Sequence, residues 1–491
     1  MLFLNLFPLI EFRDWVALPI GWDNLVQCLR HAVLRDRVFD RDFSIAYVQL
    51  ASLIGGLNVR ILNAIMLAPF VASCMCLYML ARQLRLSPFA CLITVALFAF
   101  SLPTIDAMAW QATSHDRLSL MFCLLALNAA LFFQLRPPSL KTLVGSNLLV
   151  LVCLVGAYNS KLSAIFLAPS LLLLPFLLPG QKLKNRIVGL EMLAVPLAYA
   201  AYNNVRFFVM LQGDTVSAAH IVGGSLGIAG IAKRMCHLLG FLPVRDLAVI
   251  LPMVLGALFL LLVISIRQAT LSKDDTLTAF RLRTVLWLVS TFVMAFTVTL
   301  LTKHIAAYYQ FIPRVFLVLC VAQVVVVLIE CLNRHGNRRI SAGLVLGLLF
   351  VGSLIPFMNE VVPEYQKRIE LSRNFTASFE EIRRLVDPTV DEPFEIVIPP
   401  PAYQLNWFIV GSKRALLRFI FGDEPLAHIH WSDQVQVAAD LQNEKWCRPR
   451  NTIGYQLCYD KAMHLLAIFH NGQRRQSTRQ SRIRPTDTPG R

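Results

Sequence analysis

The chain has 491 residues, 56% of them hydrophobic and only 15% charged, and its mean hydropathy is +0.59. These values exclude a single water-soluble domain and place the chain among polytopic membrane proteins. The formal net charge of +16 resides largely in short inter-helix loops and in a basic tail, Arg474 to Arg491, and so does not indicate a nucleic-acid partner.

Taken in order, Met1 to Ile10 is apolar but too short to cross a ~30 Å core alone, and it reads as a stub or re-entrant anchor. No basic n-region precedes it and no small-residue cleavage site follows, so a signal peptide is not indicated. Glu11-Phe12-Arg13-Asp14-Trp15 then opens a polar, amphipathic stretch that precedes the first full span. Trp22 to Arg35 puts Trp22, Leu25, Val26, Leu29, Ala32 and Val33 on one helical face and Asp23, Asn24, Gln27, Arg30, His31 and Arg35 on the other. That pattern predicts an amphipathic helix, suited either to the membrane interface or to the surface of a bundle. Phe43 to Leu57 predicts a second.

Apolar runs long enough to span are predicted near 62–81, 86–105, 117–135, 143–157, 162–179, 187–203, 247–266, 284–302, 314–332 and 340–357. Lys and Arg are retained in short cytoplasmic loops. One set of alternate loops holds Arg82, Arg85, Arg136, Lys141, Lys182, Lys184, Arg186, Arg267, Lys273, Arg281, Arg283, Arg334, Arg338 and Arg339, against only Asp274 and Asp275. That set is expected in the cytoplasm. Loops near 106–116, 158–161, 204–246 and 303–313, the Asp14 segment and everything after Phe357 are then expected outside a cytoplasmic membrane. Cys74, Cys76, Cys91, Cys123, Cys153, Cys320 and Cys331 lie in or beside spans and read as small packing residues. Cys447 and Cys458 fall in the exported part, where they are expected to pair.

Asp106 and Asp116 flank one external loop that also carries Trp110 and His115. Ionisable groups at span ends facing a cavity are functional candidates. For Asp116 the competing reading is a helix cap before an apolar run, and for His115 a hydrogen-bonded surface residue. Beyond Asn359 the chain changes character. Val362 to Val386 predicts a charged helix, Phe394 to Ile398 a strand, Trp407 to Phe421 a basic helix, and Val435 to Ala439 and His464 to Phe469 further strands. The expected organisation is an N-terminal stub and external loop (1–61), a helical bundle (62–357), a small exported α/β domain (358–472) and a basic tail (473–491). Asn374-Phe375-Thr376 is a glycosylation sequon.

Several segments resemble, in order, those of a known family. Phe39-Asp40-Arg41-Asp42-Phe43-Ser44, Gly56-Leu57-Asn58 and Leu62-Asn63 are similar to its Arg-Pro-Leu-Ser, Gly-Leu-Asn and leucine-asparagine helix start. Phe98 to Trp110 is similar to its Phe-Ala-Leu-His-Pro segment ending in Glu-Ala-Val-Ala-Trp. Ser114 to Leu118 stands where the family has Arg-x-Asp-Leu-Leu, and Asn159-Ser160-Lys161-Leu162 with Pro169 is similar to its Ser-Lys-Glu and following proline. The chain thereby resembles the GT-C superfamily of membrane glycosyltransferases, in the branch of protein mannosyltransferase-like enzymes and their TPR-bearing relatives. No 34-residue repeat is present, so the TPR array of some relatives is absent.

The resemblance implies a bundle of about 10–11 transmembrane helices with external juxtamembrane helices, a polyprenyl-phosphate sugar donor, an external hydroxyl acceptor on lipid, polysaccharide or protein, and inversion at the anomeric carbon. Such a transfer needs a carboxylate near the membrane surface to take the acceptor proton, a place suited to Asp14. It also needs a cation for the leaving phosphate, for which Lys161 comes first, then Arg41, Lys303, His304 and Arg314. Arg13 stands where the family often has a second acid, and a lone carboxylate makes a poor divalent-metal site. Hence no cofactor is expected. Ala307-Tyr308-Tyr309-Gln310-Phe311-Ile312-Pro313 resembles a Glu-Arg-Tyr-x-Tyr-x-Pro stretch without its Glu and Arg. These losses keep a non-catalytic scaffold as an alternative, beside a transporter or flippase of lipid-linked sugars.

Overall fold

The computed structural model describes residues 22–34, 42–55, 59–109, 113–137, 139–176, 183–213, 228–239, 276–300, 307–335, 341–386, 394–397, 455–459, 464–471 and 473–475. Among these, six helices are long and apolar enough to cross a membrane, or seven if one bent pair is a single span. The protein is a mostly helical, multi-pass membrane protein with a small C-terminal sheet. The predicted span at 247–266 lies outside the described residues.

The two N-terminal helices predicted from periodicity are present as α1 (Trp22–Leu34) and α2 (Asp42–Gly55). The spans follow as α3 (Val59–Gln83), the bent pair α4 (Pro88–Ala99) and α5 (Leu102–Ala109), α6 (Ser114–Gln134) and α7 (Leu140–Ser160). Local chemistry sets their ends. Arg85, at φ 63°, turns the chain out of α3, and the Leu86 N–H returns to Ala81 O at 3.1 Å, a helix stop more usual with glycine. Ser87 caps α4 ahead of Pro88 at its first position, and Ser139 with Thr142 forms a reciprocal cap on α7, both favoured helix starts.

The segment predicted as one span over 162–179 is instead a broken rod: a 3-10 turn (Leu162–Phe166), α8 (Leu167–Leu173) and another 3-10 turn (Leu174–Phe176). Pro169 and Pro175 each remove an amide donor from the ladder. The region predicted at 187–203 divides into α9 (Leu183–Glu191) and α10 (Ala194–Gly213); α10 carries Asn203, Asn204 and Arg206 and is not among the six spanning helices. Then come α11 (Ile228–Leu239), α12 (Thr276–Leu300), a 3-10 turn (Ala307–Gln310), α13 (Phe311–His335) and α14 (Ala342–Pro356), which runs through a π-turn (Phe357–Val361) into α15 (Val362–Ala377).

By chain contacts the structure forms two units. In the larger one, 22–51 with 64–363, α13 is the hub: most of Phe311–Ile329 is buried, and Phe316 meets Phe166 edge-on at 5.4 Å between ring centroids. Trp287 on α12 is fully buried and donates to Ser170 O on α8 at 2.9 Å. By contrast, Met75, Leu148 and Leu348 are exposed, as expected for helix faces turned to lipid. The smaller unit contains α15, α16 (Phe379–Leu385) and a sheet of β1 (Phe394–Val397), β2 (Tyr455–Tyr459), β3 (Leu465–His470) and β4 (Gln473–Arg475). Its order is β1-β2-β3-β4, with β1 parallel to β2 and the other pairs antiparallel. The predicted charged helix and the strands at 394 and 464 are therefore present, and β2 and β4 were not foreseen. The helix expected at 407–421, the strand expected at 435–439 and Cys447 of the expected disulfide lie outside the described residues; Cys458 is buried on β2.

The crossing of α6 and α7 gives a direct check. A Cβ added at Gly156 on α7 would stand 2.8 Å from the Phe122 ring on α6, whereas one at Gly352 would meet nothing within 4 Å. Overpacking costs typically ~1–3 kcal/mol. Gly156→Val should lower the thermal unfolding midpoint in detergent clearly, and Gly352→Ala should leave it unchanged or slightly raised.

Candidate functional site

Four helix ends of the larger unit converge at one end of the bundle: the C-termini of α5 and α7, the N-terminus of α6, and the 3-10 turn that begins α13. The first turn of α6 is buried in full, with Ser114, His115, Asp116 and Arg117 at 5% exposure or less. A buried charge in such a run needs a counter-charge. Asp116 is ion-paired through Oδ1 to Lys161 Nζ, and its Oδ2 lies 3.1 Å from His115 Nε2.

Lys161 reaches Asp116 because α7 stops there. Lys161 is the C-cap, with extended backbone at φ −160° and ψ 136°, followed at once by a 3-10 turn. Hydroxyls add hydrogen bonds to carbonyls at this helix end, where Ala157 O already accepts the Lys161 N–H at 3.0 Å. Ser44 on α2 donates to Ser160 O at 3.3 Å, Ser119 on α6 to Ala157 O at 3.4 Å, and Ser160 to Gly156 O at 2.7 Å. With its helix end sealed, the chain throws the ammonium of Lys161 across to α6.

On its other side the ammonium faces aromatic rings. Lys161 Nζ lies 5.0 Å from the centroid of Tyr309 and 5.8 Å from that of Tyr308, within the reach of a cation–π attraction. The two rings are themselves 4.4 Å apart. Asp106 on α5 accepts a hydrogen bond from the Tyr308 backbone N–H at 3.0 Å. Thus Asp106, His115, Asp116 and Lys161, drawn from two predicted loops, share one site. Asp116 is not a side-chain cap of α6; its N-cap is Thr113, which makes no side-chain cap bond.

Arg314 is placed differently. It is buried within α13, with Nη1 donating to Leu238 O at 2.7 Å and Nη2 to Leu97 O at 3.4 Å. Both carbonyls belong to the last turns of helices, α11 and α4, where backbone acceptors are left over and the helix dipole favours a cation. Arg234 does the same for α12, donating to Thr299 O at 2.6 Å. The guanidinium expected to hold phosphate is thus engaged by backbone, and it fastens α11 to the bundle. Asp14, Arg41, Trp110, Lys303 and His304 lie outside the described residues.

Sequence reasoning passed over Tyr308 and Tyr309 as site residues. The available signal was an aromatic pair, four and five residues before Pro313, at the end of a span. Among the described residues no three His, Cys, Asp or Glu side chains gather as a metal site would require.

No family model and no curated protein matches the sequence. Six solved chains match in structure. One is an oligosaccharyltransferase of Archaeoglobus fulgidus tethered to an acceptor peptide containing an NVT sequon, with 12% identity, a TM-score of 0.39, and coverage of 84% of this chain and 62% of that one. Another is the same archaeal enzyme in complex with Zn and sulfate, at 13% identity and a TM-score of 0.37, covering 93% of this chain and 67% of that one. The chain thus spans about two thirds or less of the length of these proteins.

Two checks follow from the site. Removing one partner of a buried ion pair leaves an uncompensated charge and costs ~3–5 kcal/mol. Lys161→Ala should therefore lower stability strongly, while Lys161→Ala with Asp116→Asn should lower it less than the single change, as read by denaturation in detergent. His237 on α11, outside the spanning helices, is buried, and burial, then Lys233 and Arg234, push its pKa from 6.5 down to about 4. The folded state binds this proton less well than the unfolded chain does. Its contribution to stability is complete above pH 6.5 and falls as pH drops toward 4. The decline in unfolding midpoint between pH 7 and pH 5 should be smaller in His237→Gln than in the wild type.

Proposed function

We propose that the protein is a membrane glycosyltransferase of GT-C type that moves a sugar from a polyprenyl-phosphate carrier to a hydroxyl on the external face of a cytoplasmic membrane. The observation that carries this reading is the polar, aromatic-lined cluster of Asp116, Lys161 and the Tyr308–Tyr309 pair at one end of the bundle. Two of its members, Asp116 and Lys161, come from motifs that resemble the superfamily. A site at the end of the spans suits a substrate whose phosphate sits at the lipid surface. Transporters instead commonly bind near mid-membrane between broken helices.

In this reading Asp14 takes the acceptor proton as the hydroxyl oxygen attacks the anomeric carbon. The bond from that carbon to the phosphate oxygen breaks with inversion, and polyprenyl phosphate leaves. Charge grows on the departing phosphate, and Lys161, already oriented by Asp116, supplies the counter-charge without large rearrangement. Arg41, Lys303 and His304 are assigned as further cations for the same group. The donor is a substrate, and the lone carboxylate beside Arg13 gives no reason to route a step through a metal. The acceptor is a lipid, polysaccharide or protein hydroxyl.

The test is sugar release from a panel of radiolabelled polyprenyl-phosphate sugars by the full chain in lipid nanodiscs. One donor should be turned over, with turnover reduced about 10²–10⁴-fold in Asp14→Asn. Lack of turnover of every donor, with donor binding retained, would refute the transferase and leave the scaffold or the transporter.

A further inference from the structure

We propose that Asp106 is a positioning residue: its carboxylate fixes the Ala307–Gln310 turn and so sets where Tyr308 and Tyr309 stand beside Lys161. For the reaction this rests on the transferase reading above; for the geometry it stands independently.

The case begins with how rigidly α5 is mounted. The chain bends by 63° between α4 and α5, which would leave the carbonyls at the end of α4 without partners. Two hydroxyls meet one of them: Ser101 and Thr104 both donate to Phe98 O, at 2.8 and 2.7 Å, with their oxygens 3.1 Å apart. At the far end, Thr113 donates to Ala107 O at 2.5 Å. Residues 101 to 108 are all buried, so α5 is a short rod braced at both ends within the bundle.

Asp106 stands on this rod and grips a segment 202 residues away in sequence through the Tyr308 N–H. The grip falls at the start of a 3-10 turn, where amides have no acceptor within the helix, and a carboxylate there is also favoured by the local dipole. Sliding the turn by one residue would carry both tyrosines away from Lys161. The bond to Asp106 opposes that slide at Tyr308, alongside Gln310, whose Nε2 donates to Thr299 Oγ1 at 3.3 Å. The two acids of the predicted loop therefore have different tasks, Asp116 holding the cation and Asp106 holding the aromatic pair that faces it. With one oxygen committed to an amide and only 8% of its surface exposed, Asp106 is not placed to exchange protons with an acceptor.

An acceptor role and a charge role separate on substitution. Asparagine keeps an oxygen that can take the Tyr308 N–H; alanine does not. The experiment compares wild type, Asp106→Asn and Asp106→Ala as full chains in nanodiscs. It reads the rate of Lys161 acetylation by acetic anhydride with mass spectrometry, and uses Lys141 and Lys367 as internal references. The expected result is a Lys161 rate raised several-fold relative to the references in Asp106→Ala and unchanged in Asp106→Asn. Equal increases in both variants, or none in either, would overturn the proposal.

Hydrogen exchange of the peptide containing Tyr308 supplies a second measurement that needs no alanine variant. The amide should exchange about tenfold or more slowly than an unprotected one in wild type and in Asp106→Asn alike. Fast exchange in wild type would overturn the positioning role. Sugar release measured on the same samples keeps the two readings apart. Absence of turnover throughout, with the labelling pattern as expected, refutes the transferase and leaves Asp106 as assigned.

Discussion

The arrangement at the end of the bundle depends on the ion pair between Asp116 and Lys161. Each partner is costly to bury alone and tolerable together, so the pair fixes α6 and α7 against sliding along their shared contact. It also decides where α7 ends. A lysine inside a continuing helix would point along the membrane-facing surface, whereas a lysine at an extended C-cap projects across the bundle toward α6. The hydroxyls of Ser44, Ser119 and Ser160 reinforce that ending by donating to the carbonyls of Ser160, Ala157 and Gly156.

The same principle recurs where cations are met by backbone oxygens. Arg314 and Arg234 close the last turns of α4, α11 and α12 by donating to backbone oxygens. Three helix C-termini therefore sit around two guanidinium groups, and the partial negative charge of those ends stabilises the cations in a setting that excludes water. The apolar side of α11 packs Met235 and Leu238 against Leu317, Phe292 and Phe296. This short amphipathic helix is thus held by both apolar contact and directed hydrogen bonds. An arginine one position after a proline in an apolar run looks, in sequence, like a ligand for phosphate. Its surroundings give it a structural task.

Much of the architecture was legible in advance. Apolar length marked the spans now seen as α3, the α4–α5 pair, α6, α7, α12, α13 and α14, and periodicity marked α1 and α2. Proline disrupted one further expectation: an apolar run with Pro169 and Pro175 meets a length criterion for a span but cannot keep an unbroken backbone ladder. Strands β2 and β4 were not foreseen because their stability comes from neighbours, with β2 lying between β1 and β3. A sheet position of that kind has little local signature.

Composition and the placement of Lys and Arg alone determined that the chain is a multi-pass membrane protein, because the cost of burying charge in lipid acts on every residue separately. The same local logic marked Asp106, Asp116 and Lys161 as residues at span ends. Which of them meet was decided only in three dimensions. Ion pairing, the face of Tyr309 beside Lys161 and the grip of Asp106 on Tyr308 all join positions 45 to 202 residues apart, and contacts over that separation depend on helix bends, caps and packing that no local pattern encodes.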